Sequence, residues 1–155
     1  MQPIGKISSP FKDLVNMPIQ PKGAADIEGR VIIEKKYEQG LADLEGFSHI
    51  YLLYEFHLAK REELTVVPFM DDQPRGVFAT RSPLRPNHIG LSIVELVKRE
   101  GNELVIRGVD VLDGTPLLDL KPYIHQFDFV EKSRSGWCSA AAEDVRQKKS
   151  DGRFT

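Results

Sequence analysis

Two arginines and an asparagine, Arg81, Arg85 and Asn87, sit among prolines in the stretch FATRSPLRPNHIGLS, residues 78–92. Pro83 and Pro86 each hold φ near −65° and push Ser82 and Arg85 towards extended backbone. A stiff loop of this kind presents guanidinium forks to a carboxylate or a phosphate, which is anion recognition rather than bond-making. The plain alternative is a surface loop whose arginines pair with neighbouring carboxylates.

A second polar cluster, DVLDGTPLLDLKPY, covers residues 110–123. Asp110, Asp113 and Asp119 raise the question of a divalent metal, but their spacing does not follow the calcium-loop pattern and no glutamate closes it. Asp113 also reads as a simple turn residue before Gly114. Lys121 and Tyr123 add a cation and an aromatic plane, as site elements or as packing at a strand end. A third segment, NMPIQP, is an extended loop with exposed backbone groups. Histidines 49, 57, 88 and 125 are dispersed, without HxH or HExxH pairing. Neither a GxSxG nucleophile setting nor a GxGxxG fingerprint occurs. No metal site is expected.

The elements that must hold these residues read mostly as strands: IGKIS, RVIIEK, HIYLLYEF, LTVVPF, GVFAT, LSIVELVKR, ELVIRGVDVL and PLLDLKPY. Each is rich in Val, Ile, Leu, Tyr or Phe and is bounded by turn residues. Residues 91–98 and 103–109 form the clearest hairpin, with Gly101 and Asn102 suited to positive φ. Asp113-Gly114 marks another turn, after which Pro116 is expected to prevent a regular ladder. Helical signal is thin. YEQGLADLEGF predicts a helical turn or two around residues 41–44, ended by Gly46, and SAAAEDVRQ opens on a capping residue, Ser139. Many short strands and little helix indicate an all-β sandwich or barrel.

The chain has 155 residues, enough for one domain with a real core. Lys and Arg number 21 against 23 Asp and Glu, so any nucleic-acid binding must come from a local patch. The single cysteine, Cys138, excludes an intramolecular disulfide and Cys₂His₂ or Cys₄ zinc sites. The N-terminus lacks a signal pattern, and the longest nearly apolar run is too short to span a bilayer and contains Glu55. A soluble, cytoplasmic protein with no membrane partner is expected. The polar tail after residue 135 reads as a frayed terminus, or as a segment that docks back through Trp137 and Phe154.

Taken in order, IGKISSPF, PIQ, GFSHIYLLYEFH, GVFATRSPLRPNHIGLS and DVLDGTPLLDLKPY resemble the TsaA-like, or TrmO, family of S-adenosylmethionine-dependent tRNA methyltransferases. The resemblance implies a β-barrel domain over residues 1–135, followed by a tail over 136–155, working as a homodimer. It implies N6-methylation of threonylcarbamoyl-adenosine beside the anticodon, hence a tRNA anticodon loop as partner. It places the S-adenosylmethionine pocket on Pro18, Ile19 and Gln20, on Phe56 and His57, on Arg81 and Leu91, and on Leu112, Asp113, Gly114 and Thr115. Within it, Arg81 is expected on the cofactor carboxylate, Asp113 facing its ammonium or sulfonium, and the backbone of 112–115 on its polar edges. Arg85, Asn87 and Lys121 are the expected substrate contacts, with Asp119 or Tyr123 as proton acceptor. The alternative reading is a module that binds S-adenosylmethionine without transferring its methyl group.

Overall fold

Side chains alternate between core and surface along most of the longer strands, so a strand period of two organises the molecule. In this computed structural model, which describes residues 1–138 and 142–155, eight strands form. They are β1 (Gly5–Ser8), β2 (Glu28–Ile33), β3 (His49–Glu55), β4 (Thr65–Val66), β5 (Arg75–Gly76), β6 (Ile89–Glu100), β7 (Glu103–Arg107) and β8 (Thr115–Pro122). Six of them close into a barrel in the order β1-β2-β7-β6-β3-β8, while β4 and β5 make a separate two-stranded ribbon. All barrel pairings are antiparallel. Among the described residues, closure leaves the barrel itself without an open edge.

The barrel interior is filled by the inward residues: Ile7, Val31, Ile50, Leu52, Val94, Leu104, Ile106 and Leu117 are all essentially inaccessible. Burying each contributes roughly 1.5–3 kcal/mol. Tyr54 also points inward, and its register partner is Gly90. A Cβ at Gly90 would lie 2.2 Å from the Tyr54 ring, so the ring's place depends on that glycine. Register shifts at Leu53/Tyr54 and Leu96/Lys98 supply the bends that closure needs.

Several expectations are corrected. LTVVPF and GVFAT give only the two-residue strands β4 and β5, and Val77–Ala79 is a 3₁₀ turn. There Thr80 Oγ1 donates to Val77 O at 2.8 Å, so a local side-chain bond replaces a ladder. The β6–β7 hairpin forms, but β7 stops at Arg107 because Gly108 takes φ +93°, and at the turn only Gly101 is left-handed, not Asn102. Pro116 does sit inside a ladder, opposite Lys6. The β3 side of β8 is paired only from Leu117 onward, so the missing N–H breaks no rung. The helical signal near residues 35–46 yields two 3₁₀ helices, Lys35–Leu41 and Leu44–Gly46, separated by the left-handed Asp43.

Two short helices follow the barrel, α1 (His125–Asp128) and α2 (Ala142–Gln147); Ser139 lies outside the described residues. The tail returns to the body. Trp137 Nε1 donates to Ala79 O at 2.8 Å, and Phe154 packs on Val66, Val77 and Leu84 beneath the ribbon. An isolated bridge pairs Lys149 with Pro18.

Candidate active site

Antiparallel closure sends every segment of the expected cofactor set to one end of the barrel. β1, β3 and β7 finish there, and β2, β6 and β8 begin there. The loop from β1 to β2 carries residues 18–20. The loop from β3 to β6 carries Phe56, His57, Arg81, Arg85 and Asn87. The loop from β7 to β8 carries residues 108–114.

Two of these loops meet through Arg81, whose Nη1 donates to Gln20 Oε1 at 2.7 Å. The Arg81 segment is held stiffly from below. Ser82 N donates to Thr80 Oγ1 and Leu84 N to Ser82 Oγ, both at 3.2 Å, with Ser82 and Leu84 buried. His88, left-handed at φ 49°, is fixed by a 2.8 Å contact between its Nδ1 and Pro83 O. Arg85 spends one nitrogen on its own loop, donating to Thr80 O and Ser82 O at 3.1 and 3.2 Å. Asn87 is exposed.

Pro18 is buried, and the loop around it is tied to the tail. Met17 N donates to Ser150 Oγ at 2.8 Å, and Ser150 Oγ donates to Leu14 O at 2.6 Å. Phe56 is half-buried, edge-on to Tyr54 with ring centroids 5.4 Å apart, and its N–H donates to His88 O. His57 is exposed. Leu91 points outward from β6 and is 46% exposed, beside Leu53 of β3.

The 112–115 turn changes one expectation. Its N–H groups are spent inside the protein: Asp113 N on Phe11 O, Gly114 N on Ile7 O, and Thr115 N on Leu112 O. Those positions therefore offer no N–H donor, and Leu112 O is also taken, accepting from Thr115 N and from Thr115 Oγ1 at 2.7 Å; the acceptors left to the turn are the Asp113 and Gly114 carbonyls, with Gly114 at φ +79° setting its path. The Asp113 carboxylate is also engaged. It accepts from Ser8 Oγ at 3.1 Å and Ser9 N at 2.9 Å and pairs with Lys12. The Lys12 ammonium, then the Ser9 and Ser8 donors, hold its carboxyl down to about 2. Asp113 is thus a clasp between β1 and β8, and any contact with a ligand cation is additional to that role.

Asp110, which the sequence raised only as a metal ligand, lies in the same β7–β8 loop and is tied to the strands. Asp110 accepts from Ser92 Oγ at 2.7 Å, and Ser92 Oγ is 3.1 Å from the Tyr54 hydroxyl. Burial pushes the Asp110 carboxyl up to about 6, against the Ser92 hydrogen bond and the nearby charge of Arg81. Burial likewise raises Tyr54, and Arg81 is close enough to oppose that shift. The polar residue Ser92, at an inward position where β6 alternates between Gly90 and Val97, was the one available signal.

Asp119, Lys121 and Tyr123 do not join this cluster within one chain. β8 runs away from the 112–115 turn, so Tyr123 is about 30 Å of strand from Gly114 at the usual rise per residue. Asp119 and Lys121 face outward, opposite Leu53 and Tyr51, and are ion-paired at 3.0 Å. Tyr123 stands at the far end among aromatic neighbours, 5.9 Å from Tyr51 and 6.4 Å from His49 between ring centroids. Among the described residues no cluster of His, Cys, Asp or Glu fits a metal ion. A cleft of about 620 Å³ between residues 69–72 and 144–148 contains none of the expected site residues.

A cation, a partly buried carboxylate, carbonyl acceptors and an aromatic face thus surround one barrel mouth. That donor set fits a zwitterionic nucleoside such as S-adenosylmethionine. Comparison with known proteins follows the same line. The family model of the tRNA-methyltransferase O N-terminal domain matches residues 6–129. A Pyrococcus abyssi protein named "Probable S-adenosyl-L-methionine-binding protein" is 52% identical over 99% of this chain and 83% of its own length. The mouse tRNA (adenine(37)-N6)-methyltransferase is 40% identical over 82% of this chain, which spans only 31% of that protein. The crystal structure of TrmO from Pseudomonas aeruginosa superposes with a TM-score of 0.73 at 39% identity, covering 87% of this chain and 60% of that one.

Proposed function

As a member of the tRNA-methyltransferase O family, the chain is, we propose, an S-adenosylmethionine-dependent methyltransferase acting on the N6 atom of an adenine in tRNA. The finer reading is threonylcarbamoyl-adenosine beside the anticodon, in the cytoplasm, by a homodimer. The observation that carries it is the convergence of three loops at one barrel mouth, with Arg81 bonded across to Gln20. Bound there, S-adenosylmethionine supplies a methyl group already activated by a sulfonium.

The chain's own residues bind and orient. The Arg81 guanidinium keeps donors beyond the one given to Gln20 and receives a carboxylate. The Asp113 and Gly114 carbonyls accept from amino or hydroxyl groups, and Phe56 covers an apolar face. A rigid frame of this kind contributes mainly by alignment, which is the larger part of what a transfer from an activated donor requires. Arg85, half-satisfied by its own loop, and the exposed Asn87 border the mouth on the substrate side.

The outer face of β6 supports the dimer. Leu91 and Ile93 are 46% and 40% exposed side by side on that face, an apolar patch that a second barrel would cover, with the Glu95–Arg107 ion pair separating it from Val97. Because Asp119 and Tyr123 do not reach the mouth of their own chain, the proton acceptor, Asp119 or Tyr123, is assigned to the second protomer of that dimer. The test is transfer of labelled methyl from S-adenosylmethionine to threonylcarbamoyl-adenosine in tRNA. Cofactor binding without transfer to any tRNA would leave only the binding module.

A further inference from the structure

The chain as a whole is slightly acidic, yet residues 73–94 contain Arg75, Arg81 and Arg85 and no Asp or Glu. Arg75 is paired with Asp71 at 2.6 Å, while Arg81 and Arg85 have no carboxylate partner among the described residues. Arg85 gives Nη1 to two carbonyls of its own loop, and no bond to its Nε or Nη2 occurs among the described residues. Its guanidinium carbon stands 5.9 Å from the centre of the Phe78 ring. Phe78 is 73% exposed, although the turn that carries it is closed by Thr80 and anchored by the buried Val77. Leu64 is 72% exposed, and its carbonyl accepts from Val77 N, so a second exposed apolar residue stands beside that turn. On the other side of Phe78, Ala79 O accepts from Trp137 Nε1, and the Arg75 guanidinium lies over the Trp137 ring at 5.6 Å. One exposed ring alone is ordinary. Rings interleaved with guanidinia, on a segment without carboxylates, match the two parts of a nucleotide, a flat base and a phosphate.

We propose that Phe78 and Arg85 form a platform for one unpaired RNA nucleotide, outside the methyl-donor pocket. The base stacks on the Phe78 ring, and Arg85 Nε and Nη2 take its phosphate. Trp137, held at Ala79, is a second plane for a neighbouring base. Stacking reads the flat face of a base, so the platform tolerates any sequence, while the phosphate contact fixes where the strand runs. An acidic peptide would use the guanidinia and leave the two rings idle; a nucleotide uses both. This rests on the tRNA reading above and names the surface that holds a base next to the target. It also supplies the local patch that a chain of net charge −2 needs in order to hold RNA.

The experiment is fluorescence anisotropy of an end-labelled RNA stem-loop binding to the full chain in the presence of S-adenosylhomocysteine. The comparison ligand is the same stem closed by an abasic loop, which keeps the phosphates and lacks the bases. Phe78→Ala is expected to weaken the base-bearing loop by about tenfold, the usual effect of losing one base–aromatic stack. It is expected to leave the abasic loop within about twofold, and Phe78→Tyr is expected to restore binding. Arg85→Gln is expected to weaken both loops and to lower the slope of log K against log salt by about one. Equal weakening of both loops by Phe78→Ala, or of neither, overturns the platform while leaving the tRNA reading in place. An Arg85→Gln slope equal to that of the unaltered protein overturns the phosphate contact. A Phe78→Ala chain of lower mass in light scattering, with unchanged RNA affinity, also overturns the platform and makes the patch an interface between copies. Failure of the unaltered protein to bind either loop or any tRNA overturns the tRNA reading itself, and the platform with it.

Discussion

At the scale of single residues, Asp110 and Asp113 predict opposite pH dependences. Asp113, held down to about 2 by Lys12, Ser9 and Ser8, contributes stability above its ordinary value of 3.8, and that contribution is lost as the pH falls through about 2. Its partner Lys12 is largely exposed, so the contribution is on the order of 1 kcal/mol. Asp110 works the other way. Its folded form is pushed up to about 6, so the folded state is favoured below 3.8 and that advantage disappears as the pH rises through about 6. The shift corresponds to about 3 kcal/mol. Urea titrations of Asp110→Asn are therefore expected to match the unaltered protein near pH 4 and to show a more stable variant at pH 7. Asp113→Ala is expected to lose roughly 1–2 kcal/mol at pH 7, from the donors left without an acceptor. A destabilised Asp110→Asn at pH 7 would show that its carboxylate is structural.

At the scale of elements, the site depends on how β3 and β6 pair. Gly90→Ala puts a Cβ 2.2 Å from the Tyr54 ring, and overpacking of that kind costs about 1–3 kcal/mol or more. Because Tyr54 and Phe56 shift together, the variant is expected to lose cofactor affinity beyond its loss in stability; unchanged affinity in a folded Gly90→Ala would uncouple the ring from the site. The tail is the second control. Ser150 bonds the 14–17 segment through its side chain and backbone, so Ser150→Ala is expected to speed amide exchange at Met17 while leaving β3 protected.

The sequence made much of this level legible. The alternation in HIYLLYEF and LSIVELVKR set β3 and β6, and the glycine of REGN set the hairpin of β6 with β7. It misled where a few residues decide locally. GVFAT has strand composition, but Thr80 bonds back to Val77 and makes a 3₁₀ turn. Pro116 looked like a ladder breaker, and which side of β8 is paired at that point is a property of the closed barrel. Asp110 was weighed only as a metal ligand, because its partners Ser92 and Tyr54 are both distant in sequence.

At the scale of the whole molecule, one barrel separates the expected residues into a mouth, with Arg81, Gln20 and the 112–115 turn, and an outer face with Asp119, Lys121 and Tyr123. Family resemblance placed the first group together, and strand direction explains why the second stands apart. A homodimer built on the Leu91–Ile93 stripe would reconcile them. Ile93→Glu is expected to shift the protein to monomers in light scattering and to abolish transfer, while a monomeric variant with full activity would remove the dimer from the mechanism. The most direct measurement is incubation of the protein with methyl-labelled S-adenosylmethionine and tRNA bearing threonylcarbamoyl-adenosine, followed by digestion to nucleosides. Label in the N6-methylated modified adenosine, lost on Arg81→Ala, is the predicted result. Bound cofactor with no label in any tRNA nucleoside would contradict it.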